Sequence, residues 1–192
     1  MSCYPAHRGP GNRAIGPPFN SNVRPRMHPS IRDASPEDAP AVLQLVHASF
    51  RAHVASDWDP VAQESLLKDT SAEKLAVRIA ESVIVLVFED AGCMLGVILL
   101  PRPNLVQLCF VAPGHLGKGI GRALWEAARA RIEERFPEVK TVELNSSPYA
   151  VAAYKALGFY PISEPFLRGG AVATRMACWL PGRALARAPG AA

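Results

Sequence analysis

The sequence predicts an α/β fold, a sheet flanked by helices, and three observations carry that reading. Short apolar runs of strand length alternate with longer segments whose apolar residues recur at helical spacing. Two neighbouring runs, Val83 to Phe88 and Cys93 to Leu100, stand either side of Glu89-Asp90-Ala91-Gly92 and read as a β-hairpin. A third run, Leu105 to Val111, leads through a glycine-rich stretch into an Ala-rich amphipathic helix.

Taken in order, Ile31 to Ala34 is a first strand. Ser35-Pro36-Glu37-Asp38 offers a capping-box start for a helix that continues to about His53. One or two helical pieces then span Pro60 to Glu81, ahead of the hairpin and the Leu105–Val111 strand. The next helix, Gly119 to about Phe136, keeps Ile120, Leu124, Ala128 and Ile132 at a spacing of four, a buried stripe. Thr141 to Asn145 is a strand. A short helix follows, with Ser147 as N-cap, Pro148 at its first position and Gly158 as a left-handed C-terminal residue. Ala150, Ala153, Tyr154 and Leu157 share one of its faces. Phe159 to Ile162 and Val172 to Leu180 are the last strands.

These elements place one domain over residues 30–181. Residues 1–29 hold six prolines and few large apolar side chains, so they are expected to be a disordered extension, and 182–192 a loose C-terminal tail. An ordered protein beginning near Met27 is the corresponding expectation. Within the 192 residues, 49% apolar and 20% charged content suit a soluble globular protein. No apolar run approaches the ~20 residues of a membrane span, and no secretory leader is visible, so a cytoplasmic protein with no membrane partner is expected. Arg8, Arg13, Arg24 and Arg26, with no acid before residue 31, account for the whole formal charge of +4. The domain is therefore neutral, which argues against a nucleic-acid partner. Cys93, Cys109 and Cys178 have no metal-ligand spacing and read as buried reduced thiols in strands; no metal is expected.

The stretch from Val111 to Trp125 carries the chemistry. Gly117, Gly119 and Gly121 alternate, so three backbone amides lack a Cβ that would block close approach, and they stand at a helix N-terminus where the dipole favours an anion. Lys118 and Arg122 add positive charge there. The spacing rejects two common phosphate loops. A dinucleotide fingerprint would need glycine at Arg122 or Leu124, and a P-loop would need Ser or Thr after Gly117-Lys118.

Leu116-Gly117-Lys118-Gly119-Ile120-Gly121 instead resembles the pyrophosphate loop of the GNAT superfamily of N-acetyltransferases, Gln/Arg-x-x-Gly-x-Gly/Ala after a strand. Leu116 stands where that family has Gln or Arg. The later segment Asn145-Ser-Ser-Pro148-Tyr149-Ala-Val-Ala-Ala-Tyr154-Lys-Ala-Leu157-Gly158-Phe159 is similar to the second GNAT signature, and the β-α-α-β-β-β-α-β-α-β-β order is the family's.

The resemblance implies a mixed, mostly antiparallel sheet splayed between its fourth and fifth strands. It implies acetyl transfer from acetyl-coenzyme A to an amine acceptor by direct attack on the thioester. Leu116 to Arg122 would then hold the pyrophosphate, and the backbone of Cys109, Phe110 and Val111 would pair with the pantetheine arm. Asn145 would bond that arm or the strand end. Tyr154 would be the general acid for the leaving thiolate, a phenol of pKa near ~10 being protonated at neutral pH. The base is left open. The strand before the turn carries only Gln107, which takes no proton, and Glu143, His53 and Asp57 are alternatives through a water. The acceptor would be set by residues 51–70, where Trp58 can wall a pocket and Asp57 and Asp59 attract a cation, and by residues 165–173. A non-catalytic acyl-CoA-binding module is the other reading, suggested by Leu116 and by the lack, on the strand before the turn, of the acid that many GNAT enzymes carry there. Tyr154 favours the enzyme. A homodimer is left open.

Overall fold

The computed structural model describes residues 29–53, 55, 59–61, 63–64 and 70–180. The expected N-terminal extension (all but residue 29 of it), the start near Met27, the tail, Asp57 and Trp58 fall outside these residues.

Strands β1 (Ser30–Asp33), β2 (Ile84–Asp90), β3 (Cys93–Leu100) and β4 (Leu108–Val111) form one antiparallel sheet in the order β1-β2-β3-β4. The hairpin loop is two residues rather than the four expected. A bulge between Phe88 and Glu89 shifts the register, so Glu89 and Asp90 pair with Met94 and Cys93. Ala91 (φ +50) and Gly92 (φ +77) are both left-handed, as a tight turn between twisted strands requires.

Strands β5 (Thr141–Ser146), β6 (Tyr160–Pro161), β7 (Phe166–Arg168) and β8 (Ala171–Trp179) form the second half, ordered β5-β8-β6 with β7 also on β8. The predicted loop at 165–173 is a hairpin, β7 to β8, around Gly169 (φ +54) and Gly170 (φ +79). Gly-Gly between two short runs is itself a hairpin signal, so this element was legible and missed.

The two halves meet at one point. Leu105 bridges Glu143 in parallel, Val106 N–H donates to Glu143 O (2.9 Å), and Glu143 N–H donates to Asn104 O (2.9 Å). Beyond it the halves diverge, because Gln107 N–H already turns to Leu99 O (2.9 Å) and Leu108 onward pairs only with β3. The expected strand from Leu105 to Val111 is thus split between partners. The sheet is splayed between its fourth and fifth strands.

Helices cover the two faces unequally. α1 (Ala39–His53) follows a 3₁₀ turn at Pro36–Asp38, where Ser35 N–H donates to Asp38 Oδ2 (2.8 Å). α2 (Ala72–Glu81) is capped by Ser71, whose Oγ accepts from Lys74 N–H (3.3 Å). Val42, Leu45, Val46, Leu75 and Ile79 of these helices pack on Val85, Val87, Val97 and Leu99 of the first half only. On the other face, α3 (Ile120–Arg135) lays Ile120, Leu124, Trp125, Ala128 and Ile132 across both halves, against Ile84, Leu86 and Ile98 and against Val142, Leu144 and Met176. Burial on both faces explains why β2 and β3 read as continuous apolar runs rather than alternating ones. Gly96 permits the close seat of α3, since a Cβ there would lie 2.8 Å from both Ile120 Cγ2 and Leu124 Cδ1. Among the described residues, no helix is long and apolar enough to cross a membrane.

Candidate active site

The glycine-rich turn begins as Ala112-Pro113-Gly114-His115, where His115 N–H bonds Ala112 O (3.0 Å) and Gly114 takes φ +78. Proline then glycine at the two central positions is the chemistry of a type II turn. Gly117 (φ +74) and Gly119 (φ +83) are left-handed, and a Cβ on either would meet nothing within 4 Å. Their backbone therefore faces open space, and dihedral freedom rather than crowding demands glycine. Gly121 differs from the expectation. It lies in the first turn of α3, where a Cβ would make an ordinary 3.7 Å contact with Val111 Cγ2.

Gly119 is the N-cap of α3 and has no side chain to cap with; the first turn holds no acid. The N–H groups of Ile120, Gly121 and Arg122 precede any intrahelical acceptor and stand at the positive end of the dipole. The residues present fit an anion such as a pyrophosphate. Leu116 and Lys118 are exposed beside it, whereas Arg122 is engaged elsewhere. Its Nη2 donates to Ala156 O (2.9 Å), tying the turn to the last turn of α4 (Val151–Ala156).

The turn leads out of the splay. Ala112 N–H bonds Leu95 O (2.9 Å), so by the alternation of an antiparallel ladder Phe110 bonds β3, while the N–H and C=O of Cys109 and Val111 point into the gap beside β5. This corrects the expectation at Phe110. Its backbone is used by the sheet and its side chain packs toward α1.

Tyr154 reaches the gap from the α3 face. Its short helix departs from the prediction: Pro148–Ala150 form a 3₁₀ turn, Ser147 makes no side-chain cap, and the tighter winding rotates the stripe to Val151, Tyr154 and Leu157, leaving Ala153 exposed. The C-terminus ends as expected at Gly158 (φ +94), with Phe159 N–H to Tyr154 O and Gly158 N–H to Lys155 O, both 3.0 Å. That cap sets the Phe159 ring edge-on to Tyr154 at 5.7 Å.

The phenol lies with Cys109, Ile98, Val106, Trp125, Leu157 and Phe159 in a narrow apolar recess. Burial, then the neighbouring Cys109 thiol, pushes the phenol well above its ordinary pKa. Burial pushes the Cys109 thiol up to about 11, partly offset by the neighbouring Tyr154 phenol. Both groups hold their protons at neutral pH. The Cys109 side chain, for which no role was expected, thus neighbours Tyr154 in the same recess.

Asn145 sits exposed on β5, opposite Arg175 in the ladder. Its side chain shares the α1-side face with Glu143, which lies where the halves meet with Arg175 Nε 3.9 Å away. His53, the last residue of α1, stacks flat on Tyr149, with centroids 5.3 Å apart and planes within 8°. Asp59 N–H donates to Gly170 O (3.3 Å), so the two segments expected to set the acceptor do meet.

The N-terminus of α3, the strand amides of Cys109 and Val111 that β3 does not pair, and the Tyr154 phenol thus lie along one opening of the splayed sheet. The family model for the acetyltransferase (GNAT) domain matches residues 51–180, and the chain belongs to that family of N-acetyltransferases. It is 24% identical over 137 residues to the peptidyl-lysine N-acetyltransferase YiaC of Escherichia coli K12, covering 68% of this chain and 82% of that protein. In fold it is similar to a GCN5-related N-acetyltransferase from Rhodopseudomonas palustris (TM-score 0.69, 22% identity, 81% of this chain and 98% of that one). It is likewise similar to the PaiA N-acetyltransferase from Thermoplasma acidophilum solved with coenzyme A (TM-score 0.68, 19% identity, 80% and 100%).

Proposed function

We propose that the protein transfers an acetyl group from acetyl-coenzyme A to a primary amine by direct attack on the thioester. The carrying observation is the juxtaposition along one opening of the Gly119 turn, the free amides of Cys109 and Val111, and the Tyr154 phenol. In this reading Ile120, Gly121 and Arg122 N–H groups, with Lys118, receive the pyrophosphate. Cys109 and Val111 pair with the amide arm as an added strand would, and one of their N–H groups stabilises the developing oxyanion. Tyr154 gives its proton to the leaving sulfur from an apolar recess. One relative is named for peptidyl-lysine, so a lysine side chain is the first acceptor to try.

Tyr154→Phe tests the reading. Turnover falls by roughly 10²-fold or more, while coenzyme A affinity by calorimetry changes little, because only proton donation is removed. An unchanged kcat, with the chemical step shown to be rate-limiting, returns Tyr154 to a packing role.

A further inference from the structure

We infer that His53 is the base that takes the proton from the acceptor ammonium, with Tyr149 as the residue that holds its ring. The inference rests on the acyl-transfer reading above and supplies the proton acceptor that reading lacks. β4 offers none, since Leu108–Val111 carry no acid and Gln107 before them cannot accept a proton.

Three observations meet at His53. Its Nε2 has essentially no solvent contact and no hydrogen-bond partner. Leaving such an atom unpaired costs on the order of 1–3 kcal/mol, and native folds tolerate it where the group has work to do. The flat stack on Tyr149 fixes the ring, which a wandering surface histidine would not have. The third is position. α1 packs on β3 and β4, whereas Tyr149 follows directly on β5, so the stack spans the opening between the two halves on the α1 face. Tyr154, five residues further along, spans the same opening on the α3 face through Cys109 and Val106. Acid and base therefore flank the splay from opposite sides.

The alternatives are placed less well. Glu143 lies where the halves join and is half-exposed beside Arg175. His47, the other unpartnered imidazole of α1, is held below its ordinary pKa by burial and then by the nearby Arg51, which makes it the poorer proton acceptor. In the step, the ammonium gives one proton to His53 Nε2 and the nitrogen lone pair forms the C–N bond. The C–S bond breaks, the sulfur takes a proton from Tyr154, and the second proton shed by the newly acylated nitrogen returns through solvent to the Tyr154 phenolate, so that the net release is the one proton held on His53.

The test compares two acceptors in the full chain, an alkyl ammonium such as a lysine peptide and an amine already uncharged at neutral pH, hydroxylamine. His53→Gln is expected to lose on the order of 10²-fold in kcat/KM with the lysine peptide and only a few-fold with hydroxylamine, with coenzyme A affinity and melting temperature retained. Tyr149→Phe, which keeps the stacking ring, preserves the wild-type ratio of the two rates, and Tyr149→Ala lowers it. Equal loss on both acceptors, loss on neither, or the same selective loss in His47→Gln overturns the assignment. Wild-type turnover and Tyr154→Phe report on the acyl-transfer reading separately.

Discussion

Gly119 is one residue whose conformation and surroundings together state a role. Its φ of +83 costs an L-residue roughly 1–2 kcal/mol, yet a Cβ there meets no neighbour, so substitution strains the turn without displacing the core. Gly119→Glu is expected to leave a folded protein, a few degrees less stable, whose coenzyme A binding is lost, because a carboxylate then occupies the anion's place. Calorimetry showing wild-type affinity in the folded variant would contradict the phosphate assignment. Tyr154 and Asn145 were legible as residue types, but their surroundings were not. Nothing in the spacing of Cys109 and Tyr154, 45 residues apart, announces that the thiol and phenol line the same recess.

At the level of the elements, Gly96 couples the first half-sheet to the phosphate turn. It lets α3 approach β3 so closely that Ile120 and Leu124 would sit 2.8 Å from any Cβ. Gly96→Val must push α3 outward or force those side chains off their rotamers, at about 1–3 kcal/mol. Because Ile120 opens α3 directly after Gly119, the displacement also reaches the amides that face the anion. A melting temperature lower by several degrees and a weakened coenzyme A affinity are the expected pair of effects; loss of stability with affinity unchanged would show the turn to be independent of the helix seat. The stripe of Ile120, Leu124, Ala128 and Ile132 was visible in the sequence because an α-helix keeps a fixed period over four turns. The helix of Tyr154 was read less well, since a 3₁₀ first turn changes the period within six residues.

Across the whole molecule, the core is shared between the half-sheets on the α3 face and confined to the first half on the α1 face. Among the described residues, the His53–Tyr149 stack links the two halves on the α1 side of the opening between β4 and β5. The start of the domain is held by a different device. Arg32 of β1 donates bidentately to Asp38 (2.7 and 2.8 Å) and also to Glu89 of β2 (2.6 and 3.1 Å), fixing the entry of α1 to the sheet. The Arg32 hydrogen bonds hold the Asp38 carboxyl below the usual aspartate range. A carboxyl depressed in the folded state adds stability above its unfolded pKa of about 3.9, and that stability disappears as pH falls through the lower native value. The difference in melting temperature between wild type and Asp38→Asn is therefore expected to be full near pH 6 and to shrink below about pH 4. A difference that stays constant down to pH 2 would mean the ion pair contributes nothing linked to protonation.

Local spacing in the chain carried the order of the elements apart from the β7 hairpin, the glycine turn and the residues that line its helix, because each is written within a short window: period two or period 3.6, and glycines ahead of an Ala-rich helix. Tertiary structure alone decided which strand amides remain unpaired, since that depends on Leu105 and Val106 bonding β5 while Leu108 onward bonds only β3. It also decided that Arg122 ties two helices, that Phe110 faces α1, and that His53 lies on Tyr149, 96 positions away. Long-range pairing is chosen by the packing of whole faces against one another, and no local window of the chain contains that information.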